Sequence, residues 1–165
     1  MLLVSACLFA FAAPFAVQSS GVLDLRAAGW SVPSATAADS NAPALAVPVC
    51  SGGNRAERRL TCVVDGDTGW EDGVKWRLTS RSGGVDAPEI SRPECSAERA
   101  AGDRATRRLQ ALMAGGYSMK TTGTDRYDRE LVVITLADGR DAGEILIAEG
   151  LAQSWPNSGN PWCRS

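Results

Sequence analysis

Two short carboxylate clusters interrupt the apolar runs of this chain. Asp65-Gly66-Asp67-Thr68 ends a β-rich run, and Asp86-Ala87-Pro88-Glu89 follows a glycine-rich stretch. Carboxylates on turns are hard oxygen donors for Ca2+ or Mg2+. An EF-hand is excluded: counted from Asp65, the sixth position is Trp70 rather than Gly, and the twelfth is Trp76 rather than Glu. In the second cluster a proline-stiffened loop separates two carboxylates that can serve one site. One can bind a metal while the other holds or deprotonates a water beside it. Taken singly, either cluster also reads as an ordinary surface turn.

Guanidinium groups accompany the carboxylates. Arg77 lies in a strand-like run leading toward the second cluster, with Arg81 close behind, and Thr124-Asp125-Arg126-Tyr127-Asp128-Arg129 reads as a charged turn between two strands. Jointly these residues supply metal carboxylates, a base carboxylate and two guanidinium groups. That set suits attack by water on a phosphodiester, where the metal and arginines offset charge on phosphorus. The chain contains no histidine. This removes the Ser-His-Asp triad, the Cys-His dyad, His-ligated zinc and any His general base. Lys and Arg total 17 against 19 Asp and Glu, a net charge of −2, which excludes tight duplex binding by bulk charge. All the basic residues except Lys75 and Lys120 are Arg, the planar binder of phosphate.

The elements that must position these groups are readable by period. Leu60 to Val64 and Gly73 to Leu78 read as strands, with Asp72-Gly73 as the turn between them. Ser80 to Gly84 reads as a flexible glycine-rich loop, and Pro88 and Pro93 keep the following segment from being helical. From Ser96 to Met113 the apolar residues fall at helical spacing, with Ser96 as expected N-cap and Gly115-Gly116 as the stop. Tyr117 to Thr122 and Leu131 to Leu136 read as strands, and Asp141 caps a short helix through Glu149. The sum is an α+β domain, expected as a small Greek-key β-barrel with helices packed on it.

Composition divides the chain. Residues 1–54 hold only three charged residues, and Met1 to Val17 is almost wholly apolar. We read residues 1–18 as a signal peptide or N-terminal anchor, 19–49 as a flexible Ala/Pro/Ser-rich linker and 50–165 as the folded domain. The expected location is secreted or periplasmic, or anchored through the apolar segment. Beyond Cys7 in that segment, Cys50, Cys62, Cys95 and Cys163 form an even set, which in an exported domain argues for two disulfides. Three pairings are possible; we expect Cys50–Cys62 and Cys95–Cys163.

At these residues the chain resembles the thermonuclease family, the staphylococcal-nuclease-like domains, from about Leu60 to Trp155. The elements occur in family order: the 65–68 turn, Trp76-Arg77-Leu78, Val85 to Glu89, the Arg-rich helix, Thr124 to Arg129, and Ala148 to Ala152. The resemblance implies a five-stranded OB-fold barrel. It implies that Asp67, Asp86 and the Ala87 carbonyl ligate Ca2+, that Glu89 is the general base, and that Arg77 and Arg129 bind the scissile phosphate. Family members cleave DNA and RNA and leave 3′-phosphates, so the implied partner is single-stranded or fraying nucleic acid, cut by a monomer. Tyr127 and Trp155 sit where a base could stack, with a core role as the alternative. Asp65 and Asp125 read as supporting or turn-forming groups.

The chain departs from the family pattern at two places. Thr79 to Gly84 is about four residues too long, so counting back from Asp86 selects Arg81 rather than Arg77 as the first arginine. Arg77 is preferred for its strand flanks. Asp128 stands where the family usually has Gly. These departures motivate a rival expectation, a catalytically impaired OB-fold nucleic-acid-binding module. Its signature would be that neither Arg77 nor Arg81 points into the Asp67/Asp86 pocket with Arg129.

Overall fold

A computed structural model describes residues 46–163. The proposed signal segment, 1–18, and all but the last few linker residues lie outside this range. Seven strands and two helices are present among the described residues. In chain order they are β1 (Cys62–Val63), β2 (Thr68–Glu71), β3 (Val74–Ser80), β4 (Gly83–Asp86), α1 (Ser96–Ala114), β5 (Tyr117–Thr124), β6 (Glu130–Leu136), α2 (Ala142–Ala148) and β7 (Gln153–Trp155), followed by a 3-10 turn, Pro161–Cys163. The architecture is α+β.

All seven strands share one sheet, in the order β1-β2-β3-β4-β7. A branch adds β6, parallel to β3, and β5, antiparallel to β6. Strand β3 is therefore the hub. Its alternation explains why: Trp76, Leu78 and Ser80 are buried while Arg77 and Thr79 between them are only partly covered, the period-2 pattern of a strand with one core face. Trp76, Leu78, Val85, Val132 and Ile134 from the sheet meet Leu109 and Met113 of α1 and Leu146 of α2 in the core.

Three strands were not legible in the sequence. Strand β2 lies within what reads as the end of one strand and a turn. It joins β3 through Asp72-Gly73, both at positive φ (49° and 83°), so that turn links β2 to β3 rather than the first run to the second. Strand β4 occupies the stretch expected to be a flexible loop; Thr79 pairs with Gly84 and Ser80 with Gly83, leaving Arg81-Ser82 as a tight hairpin turn. Strand β7 is three residues long and too short to show a period.

The helix starts also differ in detail. The N-cap of α1 is Cys95, not Ser96; the Cys95 Sγ accepts from the Glu98 N–H. Asp141 caps α2 as expected, accepting from the Gly143 and Glu144 N–H groups. The disulfides are Cys50–Cys62 and Cys95–Cys163, the expected pairing. Packing begins ahead of the boundary placed at 50, because Val47 is buried in the core and its carbonyl accepts from Gln110 Nε2.

Candidate active site

Strand register assembles the site. Continuing the β3–β4 register from Thr79–Gly84 puts Arg77 opposite Asp86. The β4–β7 register puts Asp86 opposite Gln153 and Gly84 opposite Trp155. Cross-strand partners share a face, so Arg77, Asp86, Gln153 and Trp155 project to one side and Trp76, Leu78 and Val85 to the core. The loop after β5 closes this face. Arg77, Asp86, Arg126, Tyr127, Arg129 and Trp155 line a cavity of about 640 Å³.

Arg77 is the centre of the charge arrangement. Its Nη2 lies 3.0 Å from Asp67 Oδ2 and 3.0 Å from Asp86 Oδ1. Asp67 is almost fully buried, and every short contact it makes fixes it. Its Oδ2 also accepts from the Ala87 N–H at 2.7 Å, its Oδ1 accepts from the Thr68 hydroxyl, and its own N–H donates to Asp65 Oδ1. Asp65 is thus a turn-forming group. Burial pushes the Asp67 carboxyl up, against the downward pull of Arg77. Gly66 permits this geometry: a Cβ there would lie 2.7 Å from that of Ala105 and 2.8 Å from that of Ala87. The turn can pack on α1 only without a side chain.

Glu89 is exposed at the rim, and no side-chain hydrogen bond holds it among the described residues. Its carboxyl is shifted upward, by partial desolvation first, then by the negative charge of Asp65, with Arg77 opposing and Glu98 and Asp86 adding. Its backbone is held firmly. Glu98, buried in the first turn of α1, accepts from the Glu89 N–H through Oε1 and from the Glu94 N–H through Oε2. Nothing in the sequence distinguishes Glu98 from an ordinary first-turn glutamate.

Arg129 reaches the same cavity from the start of β6, held by Asp125. The Asp125 Oδ2 accepts from Arg129 Nε at 2.7 Å and pairs with Nη2 at 2.6 Å, while Oδ1 accepts from the Tyr127 and Arg129 N–H groups. Desolvation works against the Asp125 charge, yet these bonds hold its carboxyl down to about 2. Tyr127 and Trp155 are 63% and 57% exposed, which removes the core alternative for both. Arg126 stacks over the Tyr127 ring at 4.7 Å and Arg129 at 5.4 Å.

Arg81 does not join the site. Its guanidinium donates to the Thr135 hydroxyl and the Gly139 carbonyl. The signature set for the binding-module alternative is therefore absent, since Arg77 does enter the pocket. Besides Glu98, two residues in the site were not foreseen. Gln153 and Asn157 donate side-chain amides to Asp86 Oδ2, at 3.3 and 2.9 Å. Only the register of β7 reveals Gln153, and Asn157 lies in an irregular segment with no pattern.

The donors suit a hard divalent cation. Asp65, Asp67, Asp86 and Glu89 offer only oxygen, and one guanidinium, Arg77, stands among them. The upward push of Asp65 and Asp86 on Glu89 reflects that surplus of negative charge. No preformed cluster of three or more His, Cys, Asp or Glu side chains able to hold a metal ion is present among the described residues.

Residues 79–160 match the family model described as staphylococcal nuclease homologue. The match includes Asp86, Glu89 and Arg129 and begins just after Arg77. No curated protein matches the chain. No helix among the described residues is long and apolar enough to cross a membrane.

Proposed function

From the premise that this chain carries a staphylococcal-nuclease-like domain, we propose that it is an exported, Ca2+-dependent nuclease. It hydrolyses phosphodiester bonds of DNA or RNA by attack of water on phosphorus, which breaks the bond to the 5′ oxygen and leaves 3′-phosphate and 5′-hydroxyl ends. The observation that carries this reading is Arg77, whose one nitrogen bridges Asp67 and Asp86 beside the cavity that Arg129 also lines. We read the sheet as an OB-type barrel, supported by β3 pairing with β2 along its first part and β4 at its end on one edge, and with β6 on the other.

Asp67, Asp86 and the Ala87 carbonyl would hold the cation. Bound there, Ca2+ supplies positive charge for a phosphoryl oxygen and lowers the pKa of a water. Glu89 takes the proton of the attacking water, and its raised affinity for a proton suits that role. Arg77 and Arg129 bind the non-bridging oxygens and offset charge as it builds on phosphorus. Asp125 keeps Arg129 extended toward the cavity. The exposed faces of Tyr127 and Trp155 offer stacking to bases on either side of the cut.

Incubating the purified protein with single-stranded DNA and RNA, in millimolar Ca2+ and in chelator, tests this. Cleavage in Ca2+ alone is expected; intact substrate in both would overturn it. A second reading, binding without turnover, draws on the commitment of Arg129 to Asp125. It would show as retained affinity for the same oligonucleotides with no cleavage.

A further inference from the structure

We infer that Asn157 and Gln153 are positioning residues for Asp86, and that they fix the plane of its carboxylate so that one oxygen is held toward the site. This rests on the nuclease reading above. The two Asp86 oxygens are in different surroundings. Oδ1 faces Arg77 at 3.0 Å. Oδ2 accepts from Asn157 Nδ2 at 2.9 Å and from Gln153 Nε2 at 3.3 Å. A carboxylate rotates readily about its last torsion, which is broad and roughly two-fold. Two amide donors on one oxygen remove that freedom and leave Oδ1 as the oxygen presented to a cation or to Arg77. Amides do this without adding charge, so the acidity of the site is preserved.

The clamp is built from the segment that follows β7. Gln153 is the cross-strand partner of Asp86, and its Nε2 also donates to the Gly159 carbonyl at 3.3 Å. One side chain thus ties Asp86 to the loop that carries Asn157. The far end of that loop is fastened to the start of α1 by Cys95–Cys163. Cys95 in turn caps the helix that bears Glu98, which holds the Glu89 backbone. The crosslink therefore joins the supports of Asp86 and Glu89.

Calorimetric titration of the full, oxidised chain with CaCl2 alone tests the clamp without reference to turnover. Asn157→Ala and Asn157→Leu are expected to weaken Ca2+ binding about tenfold, as loss of an outer-shell hydrogen bond to a metal ligand does. The Leu variant keeps the branched shape and loses the amide. Asn160→Ala removes a different bond of the same segment, to the Trp162 N–H, and is expected to bind as wild type. Wild-type affinity in both Asn157 variants, or an equal loss in Asn160→Ala, would overturn the clamp and leave the nuclease reading standing. A wild-type protein that takes up no Ca2+ would overturn both.

Discussion

The Ala87 N–H donates to Asp67 Oδ2 at 2.7 Å, across twenty residues of sequence. This bond locks the two carboxylate loops together and makes Asp67 a structural group as well as a ligand candidate. Asp86 is also held, by Arg77, Gln153 and Asn157, but its side chain is 27% exposed against 4% for Asp67, so water can replace those partners. Asp67→Ala strands a buried N–H and one contact of Arg77, so urea unfolding should show a loss of about 1–3 kcal/mol. Asp86→Ala should cost under about 1 kcal/mol. Both should abolish Ca2+-dependent cleavage. Equal stability of the two variants would contradict the distinction.

Arg77 and Arg81 are separable by kinetics. Arg77→Ala should lower kcat/KM on single-stranded DNA by about 10²–10³, the size of effect seen when a transition-state donor is removed. Arg77→Lys should recover little of it, because an ammonium lacks the planar fork. Arg81→Ala should stay within about twofold of wild type, as its guanidinium bonds only Thr135 and Gly139. A comparable loss at Arg81 would reverse the assignment.

Asp128 sits at φ 61° in the charged turn, a left-handed conformation that costs a side chain energy. Asp128→Gly removes that cost but adds backbone entropy to the unfolded chain. The net expectation is a gain of about 0.5–1 kcal/mol in chemical denaturation. A loss would mean that the Asp128 side chain contributes more than its strain.

The same turn should respond to acid. The Asp125 carboxyl falls from its ordinary 3.8 to about 2 in the folded protein. The folded state then holds that proton less tightly than the unfolded one. Its contribution is complete above pH ~4 and is lost as pH falls through ~2. NMR titration of the Asp125 carboxyl should give a midpoint near 2, and Asp125→Asn should flatten the stability–pH curve in that window. A midpoint near 3.8 would show that the Arg129 contacts carry no weight.

Elements with a clear period or cap were legible in the sequence: α1, α2, β1, β5, β6 and all but the last two residues of β3. Those decided by pairing were not. Gly83-Gly84-Val85-Asp86 has poor strand propensity and becomes β4 only because β3 and β7 flank it. The site followed the same division. Asp67, Asp86, Arg77 and Arg129 stand in recognisable motifs; Asp86, Arg77 and Arg129 line one cavity, and Asp67 is buried against Arg77 beside it. Glu98, Gln153 and Asn157 act through backbone or cross-strand geometry, which residue type alone does not encode. The choice between Arg77 and Arg81 needed register, because distance along the chain misleads when the intervening residues fold back on themselves.

That fold-back sets a rule for how this region can vary in length. Arg77 and Asp86 belong to opposite arms of one hairpin closed at Arg81-Ser82. Residues added in pairs at the turn lengthen both arms equally and keep the guanidinium facing the carboxylate. A single added residue has to be absorbed in the turn, as a three-residue loop or a bulge, because pairing with β2, β6 and β7 holds both arms in register. The extra length of about four residues that the resemblance implies is an even number, which a longer stem accommodates.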